Sequence, residues 1–557
     1  MDSQMQLRVL SVRFALLAWI AAAGHAVAAP GDSVLSISSD APAAAASMRS
    51  VATVLQEGMS LERESRWGDA LVHYEEAVRD FPEDRQLAQR LDLAKLHYGL
   101  ERRCADRSYR ESLKALSPQQ ALALYGELLR KIHTHYVTAP PWKDLGVRGA
   151  IALEIALSDP DFQALAGVRS TPEQVARVRQ GIYQSLSQRQ LLGPEDLVAL
   201  AAEAARVAEQ QTGLPQSSAV LEFVTAAAGG LDDYSAYLSA DQLRDVYSQI
   251  EGNFVGLGVE LKADAGALLI VHVIPGSPAE RAGIRDNDRI VAVDGRTTME
   301  LSTEEAAAML TGAEGTSVRV TVQSPGAPQR ELTVRREHVD VPALEGVRIA
   351  KTETGVAYIK IPAFQKTTAR ELEAALWELH RQGMRALVLD LRGNPGGLLT
   401  AAVEVADKFI TQGNIVATRG RSPQEDFNYQ AHYGGTWRVP LAVLIDGDSA
   451  SASEIFAGAI KDSGRGEVVG QRSYGKGSVQ GIFPLGYAGA GIRLTTALFY
   501  SPSGKKISKA GVTPTVEVRR VAKPGLDSLT AQAAGDEMLA RAITAVEARA
   551  QQRMANR

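Results

Sequence analysis

The chain has 557 residues, a formal net charge of −5, 45% hydrophobic and 22% charged residues, and a single cysteine, Cys104. At roughly 100–200 residues per domain this length holds about three or four domains. The composition is ordinary for a soluble globular protein, and with so small a formal charge nothing points to a nucleic-acid partner. One cysteine excludes an internal disulfide and any multi-cysteine metal site, and in an exported protein it would be a free or an intermolecular thiol.

The first residues predict export. Arg8 and Arg13 precede an apolar run from Phe14 to Ala23, and Ala26-Val27-Ala28 forms an A-x-A cleavage pattern. That is a signal peptide over residues 1–28, with an apolar run too short to span a bilayer comfortably. The implied compartment is the periplasm, the alternative being an uncleaved membrane anchor. Residues 29–48, rich in Ala, Ser and Pro, predict a flexible leader.

Residues 49–110 predict a helical region. Gly58, Ala70, Tyr74, Ala77 and Pro82 have the spacing of one tetratricopeptide repeat of about 34 residues, followed by a helix with its apolar stripe at Leu87, Leu91, Ala94 and Tyr98. A plain helical hairpin is the competing reading. Helical periodicity continues through 111–244. His133 and His135, two apart, would face apart on a helix and read as surface residues rather than a metal pair. No H-E-x-x-H motif occurs.

After residue 244 the texture changes to short strand-like runs separated by Gly and Pro turns, among them F-V-G-L-G-V-E-L, E-E-A-A-A-M-L-T-G and T-S-V-R-V-T-V. Gly256-Leu257-Gly258-Val259 followed by P-G-S-P-A-E-R-A-G-I-R-D-N-D-R-I-V-A-V-D-G resembles a PDZ domain, here over 245–337. Amides of such a Gly-rich turn can hold a peptide's terminal carboxylate while the peptide adds as a strand. From 338 to 520, strand and helix patterns alternate, which predicts an α/β core. A helical tail over 521–557 closes the chain.

Within that core, D-G-D-S-A-S-A-S-E follows the apolar run L-A-V-L-I. Ser451 and Glu454 form an S-x-x-E capping box, in which the serine hydroxyl would accept a backbone N–H. A serine at a strand-to-helix turn can equally be a nucleophile beside an oxyanion-binding helix end, provided it has a base. His380 and His432 are histidine candidates without a motif. Lys476 in S-Y-G-K-G-S-V-Q is the stronger one, because desolvation would lower its pKa toward neutrality. Gln480, four residues on, would share a strand face with it. G-Q-R-S-Y-G-K-G also matches a phosphate-binding loop, but Gly477 stands where that motif needs Ser or Thr.

Taken together, the PDZ-like segment, D-L-R-G-N-P-G-G, S-A-S-A-S-E and G-K-G-S-V-Q resemble the carboxyl-terminal processing (tail-specific) serine peptidases, over roughly residues 229–518. L-D-D-Y-S-A-Y-L (231–238) and S-P-S-G-K-K-I-S-K-A-G-V-T-P belong to the resemblance, which departs at Pro514-Thr515, where the family commonly has Pro-Asp. The resemblance implies a ClpP/crotonase-like α/β peptidase core in a multidomain α/β chain. It also implies Ser451 as nucleophile, Lys476 as base, Gln480 as its orienting residue, and an oxyanion hole from Ala452 and Gly396 or Gly397. Substrates would be proteins with exposed C-terminal tails, bound at Gly256, Leu257, Gly258 and Val259, with neither cofactor nor metal. An adaptor at the repeat-like region, peripheral membrane association and oligomerisation are all compatible with it. An inactive recruiting scaffold and a crotonase-like acyl enzyme are the readings from other classes.

Overall fold

The computed structural model describes residues 50–264, 267–298, 309–432, 434–518 and 536–555. The expected signal peptide and leader, most of the E-E-A-A-A-M-L segment, the last two residues of the expected core and residues 521–535 of the expected tail lie outside the described residues.

The core is built on a six-stranded sheet in the order Glu345–Lys351, Val356–Lys360, Ala386–Asp390, Leu441–Ile445, Glu467–Gly470, Val516–Glu517. The first pair is antiparallel and the rest are parallel. Residue parity explains why both faces are covered. Ala357, Ile359, Leu387, Leu389, Leu441, Val443 and Ile445 face helices Thr368–Arg381, Leu399–Asp407 and Ala452–Asp462. Their neighbours Val356, Tyr358, Val388, Ala442, Leu444 and Val469 face the C-terminal helix Glu537–Ala555 through Met538, Ala542 and Val546. Continuous apolar runs are what strands covered on both faces require.

A second, antiparallel sheet joins Ala236–Leu238, Gly491–Tyr500, Asn414–Gly420 and Phe427–Gln430, with Ser478–Pro484 also paired to Gly491–Tyr500. The helices between residues 107 and 229 form one apolar core that includes Leu485, Ala490, Ile492 and Leu494, so they pack under that hairpin. Cys104 is half-buried at the edge of this core, where burial pushes its thiol up to about 12, leaving almost no thiolate near neutrality.

Helices Val51–Arg63, Trp67–Asp80 and Arg85–Ala105 occupy the repeat-like region. Gly58 is a true close-approach position, because a Cβ there would lie 2.3 Å from the Tyr74 ring. A helix pair followed by a third helix is common to a tetratricopeptide unit and a plain hairpin. His133 is exposed and stacks on Trp142. His135, expected on the surface, is half-buried, stacked on Phe483 at 4.4 Å and 3.6 Å from Glu425.

Between residues 257 and 336 lies a separate small sheet in the order Val259–Asp264, Ala267–Val273, Arg289–Val293, Ser317–Gln323, Gln329–Arg335, with its own apolar core. The antiparallel pair Asn253–Gly256 and Glu337–Asp340 forms its stalk. Helix Ala240–Glu251 leads into that stalk, and Lys366 N–H donates to Ile250 O at 3.0 Å, tying the stalk's base to the core.

Val546→Asp would set an unpaired charge against the sheet face of Val388 and Leu444. We expect it to destabilise the core by about 3 kcal/mol and to lower its thermal midpoint. An unchanged melting curve would mean that the C-terminal helix does not contribute to the core.

Candidate active site

The site forms where two neighbouring parallel strands end. Leu441–Ile445 runs into D-G-D-S-A-S, and Ala386–Asp390 beside it runs into L-R-G-N-P-G-G. Loops at the carboxyl ends of such strands are the usual place for a site in a parallel sheet. Asp446 stitches the two together, its Oδ1 accepting Gly393 N–H at 3.0 Å and the N–H groups of Asp448 and Ser449 at 3.1 Å.

The three alternating serines separate into two roles. Ser449 and Ser453 are fully buried. The Ser449 hydroxyl donates to Leu391 O at 2.8 Å and that of Ser453 to Asn394 O at 3.0 Å. Both staple the serine turn to the glycine loop. Ser451 is half-buried between them and has φ 55°, ψ −114°, a left-handed conformation for a residue with a side chain. Such a conformation costs of order 1–3 kcal/mol and persists only where the surroundings enforce it. The expected cap is corrected in one respect. The Ser451 hydroxyl makes no cap hydrogen bond, and the reciprocal half of the box does the work: Ser451 N–H donates to Glu454 Oε2 at 2.8 Å.

Glu454 is fully buried and collects four donors. Oε2 accepts the backbone N–H groups of both Ser451 and Lys476, each at 2.8 Å. Oε1 accepts Gly475 N–H at 2.7 Å and the Ser473 hydroxyl at 2.6 Å. Burial pushes this carboxyl above its usual range, against the pull of the four hydrogen bonds. One carboxylate thereby ties the serine turn to the lysine loop.

Lys476 itself lies in an irregular segment, residues 471–477, ahead of strand Ser478–Pro484. The expectation that Lys476 and Gln480 share a strand face is therefore corrected, and a register shift between Val479 and Gln480 displaces the strand further. The Lys476 Nζ stands 4.7 Å from the centre of the Tyr234 ring. The Gln480 side-chain amide donates to Ser478 Oγ at 2.9 Å. His380 and His432 are both exposed. The first sits in an aromatic group with Trp377 and Trp437, and the second lies 3.2 Å from Asp407, so neither faces the cleft.

Of the two candidate oxyanion glycines, Gly396 has its N–H committed to Asn394 Oδ1 at 2.8 Å, while Asn394 Nδ2 donates to Ile361 O at 2.7 Å. Phe364 N–H donates to Gly396 O at 2.7 Å and Leu398 N–H to Phe364 O at 2.8 Å, a bridge that leaves the Gly397 N–H without an acceptor among the described residues. Ala452, first residue of its helix, has no intrahelical acceptor for its N–H. Both glycines are required. A Cβ on Gly396 (φ 114°) would meet Ser451 Cβ at 2.7 Å, and one on Gly397 (φ 130°) would meet Phe364 O at 2.1 Å. Behind the loop, Arg392 donates to Asp390 and also to both Asp536 oxygens, at 2.8 and 2.7 Å. The C-terminal helix thus clamps the glycine loop from the far side of the sheet.

Ser451, Gly396, Gly397 and Gln480 line a cleft of about 410 Å³, whereas Lys476 does not. Phe364, Ile455, Val479 and Phe499 give it apolar walls, and Phe254 of the stalk and Val341 just after it line it too. Strand Val259–Asp264 of the small domain pairs only with Ala267–Val273 among the described residues, so its other edge can accept an added strand. In the loop before it, Leu257 O accepts Ala279 N–H at 2.8 Å and Gly258 O accepts Ile274 N–H at 2.9 Å. Gly256 ends the stalk strand and Val259 opens the edge strand.

A strained serine at the carboxyl edge of a parallel sheet, with a glycine loop beside it and a peptide-binding type of domain on a stalk above it, is the arrangement of a serine peptidase. Residues 355–518 match peptidase family S41 and residues 269–324 a PDZ domain. The carboxy-terminal-processing protease of Bartonella bacilliformis is 36% identical over 322 residues, 57% of this chain and 73% of that protein. Carboxy-terminal processing protease CtpB of Bacillus subtilis is 34% identical over 295 residues, 52% of this chain and 60% of that protein. The carboxyl-terminal-processing protease of Picosynechococcus is 36% identical over 286 residues, 51% and 69% of the respective lengths. Among solved structures, a photosystem II D1 C-terminal processing protease aligns over 72% of this chain and 93% of its own at 25% identity, with a TM-score of 0.39. The chain belongs to the carboxy-terminal-processing serine proteases of peptidase family S41 and carries a PDZ domain.

Sequence reasoning reached Glu454 as a support for the turn but missed Asn394, Ser449 and Ser453, although the S-A-S-A-S alternation carried the signal for the two serines. Glu454→Gln keeps the size of the side chain but turns an amide N–H₂ toward converging donors. It should lower kcat about 100-fold, the cost of misplacing reacting groups by about 1 Å, with little change in KM. Steady-state kinetics on a fluorogenic peptide would test this, and wild-type kcat would remove Glu454 from the positioning of the site.

Proposed function

We propose that this chain is an exported endopeptidase that captures the C-terminal tails of substrate proteins through its PDZ domain and cleaves them by a Ser451–Lys476 acyl-enzyme mechanism. The observation that carries the reading is the shared carboxylate oxygen of Glu454, which binds the backbone of both Ser451 and Lys476. The A-x-A signal at its N-terminus supports export, with the periplasm as destination.

The chemistry runs as follows. The neutral Lys476 amine takes the proton of Ser451 Oγ as that oxygen attacks the scissile carbonyl. The oxyanion is held by the N–H groups of Ala452 and Gly397, with Gly396 serving to shape the loop. Lys476, now an ammonium, gives its proton to the leaving amine as the C–N bond breaks. Water, deprotonated by the same lysine, then releases the acyl group. Gln480 turns from Ser478 to hold the lysine amine in line. The apolar walls of the cleft favour an apolar side chain beside the scissile bond, and the edge strand with Gly256-Leu257-Gly258-Val259 receives the tail and its carboxylate. The repeat-like region is an adaptor-docking surface in this reading.

Full-length Ser451→Ala and Lys476→Ala should each reduce cleavage of a tailed protein substrate to background, and Ser451→Ala should also abolish labelling by a serine-reactive acylating probe. Full activity in either variant overturns the dyad. Gly397→Ala keeps the backbone N–H but sets a Cβ 2.1 Å from Phe364 O; by pushing that donor out of place it should cost roughly 100-fold or more in kcat, the scale of one lost oxyanion donor. Amidating the substrate's terminal carboxylate should raise KM with kcat retained, and an unchanged KM would contradict tail capture by the PDZ domain.

A further inference from the structure

Tyr234 lies in L-D-D-Y-S-A-Y-L, a segment that resembles the family without acquiring a role in the chemistry. Its ring is the face over which Lys476 Nζ stands, at 4.7 Å. The loop that carries the ring is held firmly. Asp232 Oδ1 accepts the N–H groups of Tyr234 and Ser235 at 2.8 and 2.7 Å. Arg493 Nε donates to Tyr234 O at 2.9 Å and Thr495 N–H to Ser235 Oγ at 3.2 Å. Arg493 and Thr495 belong to the strand paired with Ser478–Pro484, where Thr495 stands opposite Gln480. One strand pair therefore anchors the backbone beneath the ring, directly follows the lysine loop and carries Gln480.

We propose that Tyr234 is a positioning residue for the base, its π face holding Lys476 and stabilising the ammonium that forms when Ser451 gives up its proton. The inference rests on the Ser451–Lys476 reading. An aromatic face attracts a cation and is nearly indifferent to a neutral amine. The contact therefore tightens when the proton reaches Lys476 and relaxes when that proton passes to the leaving nitrogen. This is stabilisation realised mainly in the transition state, the kind that raises kcat. It also offsets the desolvation that would otherwise make the lysine too weak a base.

Other charges surround the lysine loop. Glu454 approaches from the serine helix, Asp232 and Asp233 from the loop of Tyr234, and Lys95 from beyond, paired with Asp233 at 2.6 Å. Arg493 lies on the neighbouring strand, Arg472 within the loop, and Lys509 donates its backbone N–H to Gly475 O at 2.8 Å. A change in the π density of one ring leaves all of these in place.

The test uses the full chain with Tyr234→Phe and with fluorinated phenylalanines at position 234, which keep the ring's shape while draining its π face. Tyr234→Phe should retain kcat within about threefold and the wild-type acid limb of kcat/KM. Increasing fluorination should lower kcat by up to about tenfold, with KM unchanged. It should also move the acid limb to lower pH by up to about one unit, because an ammonium that is less stabilised loses its proton more readily. Fluorinated variants with a wild-type kcat and acid limb overturn the inference, as does a rate loss in all variants with no shift of the limb. Full activity in Lys476→Ala would instead sink the dyad itself, so the two failures are distinguishable.

Discussion

The site depends on a fully buried carboxylate that four protein donors satisfy. Glu454 sits in the first turn of helix Ala452–Asp462, where a negative charge is favoured by the helix dipole. Its oxygens are filled by Ser451, Ser473, Gly475 and Lys476. A buried carboxylate without such partners would be prohibitive, and with them its hydrogen bonds are charge-assisted and short. The three loop residues are thereby held against the helix that begins with the serine. The spacing between the backbone of Ser451 and the lysine loop is thus set through one side chain.

A second set of bonds sets the glycine loop against the same turn. Ser449, Ser453 and the Ala450 N–H all reach Leu391 or Asn394, so serine turn and glycine loop move as one body. Asn394 then consumes the Gly396 amide, which narrows the oxyanion candidates to Ala452 and Gly397. Arg392, two residues earlier, is gripped by Asp390 and Asp536, and Asp390 in turn accepts the Tyr358 hydroxyl at 2.8 Å. The helix Glu537–Ala555 thus supports the loop beside Ser451 through the thickness of the sheet.

Much of this was legible in the sequence where periodicity is local. The apolar runs Ala386–Asp390 and Leu441–Ile445, the helix following Ser451 and the PDZ turn are short-range patterns, and the structure has strands and helices there. The S-x-x-E box was legible by spacing but misleading by role, because the left-handed φ of Ser451 turns its hydroxyl away from the cap and leaves only the glutamate's half. The shared face of Lys476 and Gln480 failed because Glu454 captures the backbone of 475 and 476 and holds the chain out of the strand until Ser478. Tyr234 was beyond reach, since it meets Lys476 only after the chain has passed through the PDZ domain and most of the core. Contacts between such distant segments leave no trace in local spacing.

The most direct test is the mass of the enzyme caught during turnover. The full chain would be mixed with a tailed peptide substrate, quenched in acid within its first turnovers, digested and mapped by mass spectrometry. The account predicts an added mass equal to the N-terminal portion of the substrate, carried on Ser451 in the wild type and absent in Lys476→Ala. An acyl group on another residue, or an adduct on Ser451 formed equally fast without Lys476, would contradict it.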